Sequence, residues 1–259
     1  MKIAAGIEYE GTAYSGWQTQ LHASNIQDCV QTAISTVADH SVEVVCAGRT
    51  DTGVHAIGQV VHFVTEAIRD HRSWVLGINS NLPPDIAVTW LQETSDDFHA
   101  RFSARARYYR YMLHERRLRP AISRFRAAWI MEKLDLPAMQ DAAAMLIGEH
   151  DFSAFRSVEC QARSPVRTIT NISVTREREF VYVDIKANAF LHHMVRNIVG
   201  TLLEVGSGKR ESGWVGQVLA QRGRSGAGIT APAHGLHLVG VEYPEEYSLP
   251  GLQGPPVIG

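Results

Sequence analysis

Cys46-Ala47-Gly48-Arg49-Thr50-Asp51-Thr52-Gly53-Val54-His55-Ala56 is a polar, glycine-bracketed segment between two apolar runs, Val42-Glu43-Val44-Val45 and Gln59-Val60-Val61-His62-Phe63-Val64. The first run reads as a buried strand and the second, by alternation, as its neighbour. A polar tip joining two strands is an irregular segment on a rigid platform, a place where scaffolds hold reactive groups. This tip offers the Asp51 carboxylate, the Arg49 guanidinium and the hydroxyls of Thr50 and Thr52. A neighbouring cation favours the charged form of a carboxylate. A charged carboxylate can act as a nucleophile, a base or a metal ligand. Asp-x-Gly is also ordinary turn chemistry, in which Asp bonds its own backbone and Gly supplies positive φ. The segment alone therefore leaves its chemistry open.

Outward from it, the chain keeps a regular order. Lys2 to Tyr9 alternates as a strand. Tyr14, Trp17, Gln18 and Gln20 follow on a loop, where exposed aromatics and amides suit base stacking and a core lid is the plainer alternative. Ser24-Asn25-Ile26-Gln27 has capping-box spacing, and Ile26, Val30, Ile34 and Val37 recur at helical intervals to near His40. After the two strands around Asp51, a helix over Ser73 to Asn79 stops at Asn81-Leu82-Pro83-Pro84, and Ile86 to Leu91 is a strand.

The order then repeats. Arg107 to Leu113 is a strand, and Pro137 to Ile147 a helix with Met139, Ala142, Ala143 and Leu146 on one face. Thr168 to Thr175 and Phe180 to Ile185 form a hairpin. Phe190 to Val205 is a helix with a polar side opposite Met194, Ile198, Leu202 and Val205, Ser212 to Ala220 adds another, and Leu236 to Val241 closes as a strand. Two successive β-α-β-β-α-β units are the split-βαβ, ferredoxin-like (RRM-like) pattern. The expected fold is α+β, with halves 1–100 and 101–259. They would form a continuous mixed, mainly antiparallel sheet with helices on one face and a central active-site cleft. No residue-level repeat links the halves, so this duplication rests on element order.

The bulk numbers narrow the class. At 259 residues, 45% hydrophobic and 20% charged, the chain is an ordinary globular protein. No apolar stretch is long enough to span a membrane, and no signal peptide is visible. Cys29, Cys46 and Cys160 are scattered without a CxxC, which argues against a disulfide framework or structural zinc and suits a reducing cytoplasm. The net charge of −2 hides a segregated distribution. Arg101 to Arg126 carries nine arginines and one acid, Glu115, a local balance of +8. Such segregation points to a polyanionic partner or to a solvated basic hairpin.

Within that basic region, Arg107-Tyr108-Tyr109-Arg110-Tyr111 places Arg107, Tyr109 and Tyr111 on one strand face and Tyr108 and Arg110 on the other. Arginines interleaved with aromatics suit splayed RNA, and tyrosines also fill half-buried sheet faces. Arg196 lies in a largely apolar helical pattern, where a guanidinium calls for a carboxylate partner, or a buried stem at a helix edge. Asp51 is one candidate partner. A metal reading on Asp51, His55 and His62, or on His192 and His193, lacks any ligand motif such as HExxH. Gly206-Ser207-Gly208-Lys209-Arg210 echoes a phosphate loop but lacks its first glycine and its Ser or Thr, and reads as a helix exit.

Taken together, Gly48-Arg49-Thr50-Asp51-x-Gly53-Val54-His55-Ala56, Gln59-Val60 and Phe63 resemble the signature of the bacterial tRNA pseudouridine synthase A family. The likeness continues through Gly11-Thr12-x-Tyr14-x-Gly16-Trp17-Gln18-x-Gln20, Asn81-Leu82-Pro83, Phe98-His99-Ala100-Arg101 and Arg107-x-Tyr109-x-Tyr111. It runs on through Asp151-Phe152, Asn188-x-Phe190-x-His192-x-Met194-Val195-Arg196 and His234-Gly235-Leu236. Glu10, where the family usually has Asp, and Thr52, at a variable position, are minor departures. The resemblance implies two ferredoxin-like halves, a cytoplasmic homodimer sharing tRNA, no cofactor and no metal. It implies an isomerase converting anticodon stem-loop uridines, expected at positions 38, 39 and 40, to pseudouridine. By the same resemblance Asp51 is the nucleophile, Arg49 helps displace the base, Tyr109 lies against the base as candidate proton acceptor from C5, and Arg196 pairs with Asp51. Arg107, Arg110 and Leu236 join Tyr109 as expected substrate contacts. The competing readings are a non-catalytic RRM-like RNA-binding protein and a metal-assisted hydrolase built on Asp51 and His55.

Overall fold

The computed structural model describes residues 1–251; of the uninformative stretch from Leu249 onward, 252–259 lie outside the described residues. The chain runs β1 (Lys2–Tyr9), α1 (Ile26–Ala38), β2 (Val45–Cys46), β3 (His55–Val64), α2 (His71–Asn81), β4 (Ile86–Thr94) and β5 (Ala106–Glu115). It continues with β6 (Ala128–Ile130), α3 (Leu136–Ala144), β7 (Gly148–Asp151), β8 (Val166–Glu177), β9 (Phe180–Ala187), α4 (Met194–Gly206), α5 (Trp214–Gln221) and β10 (Leu236–Glu242). The architecture is α+β and mainly antiparallel, as the pattern predicts; the parallel pair β5–β6 makes it mixed. Two compact units emerge: Met1–Arg107 with the chain from Leu238 onward, and Tyr108–His237. Most of the last strand, placed in the second half by element order, thus belongs with the first unit.

In the first unit the strand order is β4-β1-β3-β10, with β2 on β3. β1 is antiparallel to both neighbours, with Ile3 opposite Phe63 and Ala5 opposite Val61. That face receives α1 and α2: Phe63 meets Trp74 edge-on at 5.8 Å, and Ile26, Val30, Ile34 and Ile78 are fully buried. Each such side chain contributes about 1.5–3 kcal/mol through burial. On the other face the Trp90 indole lies over Gly6, where a Cβ would sit 2.1 Å from Nε1. Both faces of β1 are therefore covered, which explains its nearly continuous apolar run.

Three local expectations change. The helix cap is Asn25, whose side chain accepts from Asp28 N–H while its amide donates to the Asp28 carboxylate, so the Ser24–Gln27 reading was one residue out of register. Of Val42 to Val45, only Val45 pairs as strand, continuing into Cys46, although Val42 and Val44 are buried. Tyr14 and Trp17 are not exposed stacking platforms. Trp17 is 1% exposed beside the Tyr9 ring, and buried Tyr14 donates to Asp85 at 2.6 Å.

His62 sits among Phe98 and His99, and its Nδ1 accepts the Ala100 N–H at 3.1 Å. Burial, aided by the charges of His99 and Lys2, holds its pKa down from 6.5 to about 4. The unfolded chain therefore binds this proton more readily than the folded one. The resulting stability is fully present above pH 6.5 and is lost as pH falls toward 4. In denaturant titrations at pH 7 and 4.5, His62→Asn, which keeps an acceptor for Ala100, is expected to remove about 2–3 kcal/mol of the acid-side loss. Identical pH slopes for both proteins would contradict it.

In the second unit the order is β5-β9-β8-β7, with β6 on β5. β8 and β9 form the predicted hairpin, turning at Arg178 with φ 54°. α3 packs on β8 and α4 with Met139, Ala142 and Ala143 buried. The Phe190–Val205 helix begins later than expected, at Met194, because His193 adopts φ 62° and cannot continue a right-handed turn. The polar side of α4 is not solvated either: Asn197 is 1% and Thr201 0% exposed.

Candidate active site

The Asp51 tip is fastened from several directions. Ala47 N–H donates to Val60 O at 2.8 Å. The fully buried Gln59 donates to Gly48 O at 2.6 Å and accepts from Gly48 N–H at 3.4 Å, so one amide holds both sides of that residue. Tyr9 and Thr50 share a hydroxyl–hydroxyl hydrogen bond of 2.8 Å. From the preceding loop, Trp17 N–H donates to Thr50 O at 3.0 Å. The tip closes on itself through Val54 N–H to Asp51 O at 3.1 Å, with Gly53 at φ 76°. These bonds run through the backbone of the tip and the side chains of Gln59, Tyr9 and Thr50, and they hold a loop whose Asp51 side chain is half-buried. Arg49 is exposed on the same loop.

Close approach explains two glycines of the quoted motif. A Cβ on Gly11 would lie 2.0 Å from Val54 O. Gly16 has φ +89°, and its Cβ would lie 2.6 Å from Thr50 O and 3.0 Å from the Asp51 carbonyl carbon. Gly16→Ala would thus push on the peptide that carries Asp51. The expected result is a folded protein with kcat lowered about a hundredfold, since displacement of a reacting group by about 1 Å costs that much. Single-turnover kinetics check it; an unaltered rate would show the loop tolerates the shift.

His55 is buried and its Nδ1 accepts the Gly11 N–H at 3.0 Å. A backbone N–H only donates, so that nitrogen carries no proton and its 3.3 Å approach to Glu10 is not an ion pair. With Nδ1 of His55 and of His62 each accepting a backbone N–H, these nitrogens are committed to the fold rather than to a metal.

Arg107, expected to meet substrate, lies on the same unit and turns inward. Its guanidinium donates to Ala47 O at 3.0 Å, Arg101 O at 2.7 Å and Ala104 O at 3.4 Å. Because Ala47 opens the Asp51 tip, Arg107 braces the loop.

The remaining candidates lie in the second unit or at its edge. Tyr109, 8% exposed, meets Phe190 edge-on at 5.0 Å. Arg110 does not present its charge outward: Nε and an Nη each lie 2.7 Å from an Asp184 oxygen, with the guanidinium 4.4 Å above the Tyr182 ring. Burial works against its charge, but the Asp184 bonds prevail and raise its pKa. The same surroundings push Tyr108 up to about 12, burial first and the Asp184 charge second. Leu236 is buried at the start of β10.

Arg196 occupies the first turn of α4, where the positive end of the helix dipole disfavours a cation. Its Nε donates to Ala231 O at 2.8 Å, and Ala231 N–H returns a bond to Arg196 O at 3.1 Å. Burial and the Arg196 charge together lower the pKa of His234. Gln59 and Gly16 have no functional reading in the sequence beyond their motifs, and Tyr9 none beyond its strand, since their roles depend on contacts distant along the chain.

A family model described as tRNA pseudouridine synthase matches residues 5–103 and 142–244. A tRNA pseudouridine synthase A of Pectobacterium atrosepticum is 52% identical over 250 residues, spanning 96% of this chain and 88% of that protein. The namesake of Shewanella piezotolerans is 52% identical over 97% of both chains. That of Enterobacter sp. (strain 638) is 53% identical over 96% of this chain and 92% of its own. With both segments of the family model and nearly the full length of these relatives matched, the chain belongs to the tRNA pseudouridine synthase family.

Proposed function

We propose that this enzyme isomerises uridine to pseudouridine in the anticodon stem-loop of tRNA, with Asp51 as the nucleophile. The observation that carries the reading is the Asp51 tip, a glycine-bracketed loop whose backbone is fixed through Thr50, Gln59 and main-chain bonds, in a chain matched nearly end to end by tRNA pseudouridine synthases. The reaction breaks the N1–C1′ bond, turns the uracil and forms C5–C1′. The C5 proton leaves and N1 gains one, so composition and mass are unchanged and no redox step is required. Asp51 serves by bonding covalently to ribose C1′ or uracil C6, or by promoting elimination at the sugar. The base must first leave its stack, at a cost of a few kcal/mol met by RNA binding. Arg49 assists that displacement, Tyr109 lies against the base, and Arg196 supplies the counter-charge to Asp51. A cytoplasmic homodimer that shares tRNA between subunits fits the same reading.

The test is tRNA labelled with tritium at uridine C5. Label release in step with pseudouridine, at unchanged RNA mass, is expected; salt-dependent binding without release would favour the RNA-binding alternative. Mapping pseudouridine in tRNA from cells lacking this protein would check positions 38, 39 and 40. Tyr109→Phe is expected to keep tRNA affinity while kcat falls roughly 10²–10⁴-fold, the range for loss of a positioned proton acceptor. Full activity would make the hydroxyl dispensable.

A further inference from the structure

The segment after α5 is bonded along one stripe of α4. Asn197 and Thr201, one turn apart and buried, are polar residues in a helix whose other buried positions are mostly apolar. Thr230 Oγ1 donates to Asn197 Oδ1 at 2.6 Å, and Arg224 donates to both Asn197 Oδ1 at 3.1 Å and Thr230 Oγ1 at 3.0 Å. The Asn197 amide donates in turn to Phe155 O at 2.8 Å. Thr201 Oγ1 accepts the Gly228 N–H at 3.1 Å. Between them the helix is bare at Gly200, where a Cβ would lie 1.7 Å from Ile229 O. The bonds to Thr230 and Gly228 and the close approach of Ile229 fix residues 228–230, with Phe155 O anchoring Asn197 from behind; these residues immediately precede Ala231, whose carbonyl holds Arg196 Nε.

We infer that Asn197, Thr230 and Arg224 are positioning residues for Arg196. They set the Ala231 carbonyl, which fixes the guanidinium through Nε. This rests on the reading of Arg196 as the counter-charge to Asp51. A guanidinium has five donors in a rigid fork, so fixing Nε dictates where the terminal amines point. The loop is thus a jig for one side chain. A buried network with each member bonded is rigid enough for this, and a half-satisfied one is not.

The test is a double-mutant cycle in the full chain. Thr230→Val removes the hydroxyl at nearly constant volume, and Arg196→Lys removes the Nε–H that Ala231 holds. Thr230→Val alone is expected to lower kcat about tenfold, the size of one lost hydrogen bond expressed in the transition state, with KM for tRNA unchanged. Thr230→Ser restores the rate. In the Arg196→Lys background, Thr230→Val should cost nothing more in kcat, because its effect passes through the missing Nε–H.

Undiminished activity of Arg196→Lys, which keeps the charge but not the Nε–H, would overturn the inference alone, whereas undiminished activity of Arg196→Gln would overturn the counter-charge reading and the inference with it. An impaired Arg196→Lys with fully additive effects, or an unimpaired Thr230→Val, would overturn the inference alone. A lowered melting temperature with kcat intact would mark the network as merely structural, again overturning it. If Thr230→Val does not fold, Arg224→Gln, which disturbs the same bonds from the other side of the network, takes its place in the cycle under the same criteria.

Discussion

Asp51→Asn is expected to lower pseudouridine formation at least about ten-thousandfold while leaving tRNA affinity near that of the unaltered protein. Asn has nearly the same shape, and Thr50, Gln59 and backbone groups hold the tip. The lost rate would therefore report chemistry rather than collapse of the loop. An amide is a poor nucleophile and carries no charge to pair with a guanidinium, so covalent and electrostatic roles would be lost together. Measuring kcat under saturating tRNA, with binding measured separately, isolates the effect. Wild-type turnover would remove Asp51 from the mechanism.

The second large effect concerns stability. Asp184→Ala is expected to cost about 3–5 kcal/mol in denaturant unfolding, because it strands the Arg110 guanidinium in a largely buried position. The pair Arg110–Asp184 is short, bidentate and capped by the Tyr182 ring. Removing both charges, as Arg110→Met with Asp184→Leu, should recover most of the loss, since well-packed apolar pairs replace buried ion pairs at little cost. The same experiment separates two roles for Arg110. If it serves the fold, Arg110→Gln lowers the melting temperature and leaves the salt dependence of tRNA binding alone; if it neutralises a phosphate, the salt slope falls by about one. A Tm for Asp184→Ala equal to that of the parent would refute the structural role.

Of the first six elements all but β2 are legible in place, because their signals are local. The short apolar run of β1, the alternation read in β3, the apolar stripe of α1 and the Pro83-Pro84 stop need no distant partner to be read. The tip itself stood out by composition. Harder cases failed for stated reasons. β6 and β7 are three and four residues long, and Gly148-Glu149-His150-Asp151 becomes a strand only because β8 pairs with it. The start of α4 was misplaced because Phe190 to His193 continues the apolar pattern while His193 takes a left-handed turn. Alternation correctly put Arg107 and Arg110 on opposite sides of β5, but not their partners: Ala47 lies 60 residues away and Asp184 74. Spacing identifies which face a charge leaves from, and only the folded chain supplies what it meets.

β3 leads directly out of the Asp51 tip, and a Cβ on its Gly58 would lie 2.1 Å from Val239 O of β10. During vectorial synthesis that edge waits while every element between β3 and β10 leaves the ribosome. A nascent chain halted before roughly residue 236 would leave the β10 side of β3 covered only at Val61 and His62 by β2, an open edge beside the Asp51 tip and a template for association with other copies. Stalled or prematurely terminated products should therefore associate with one another more readily than the finished chain does.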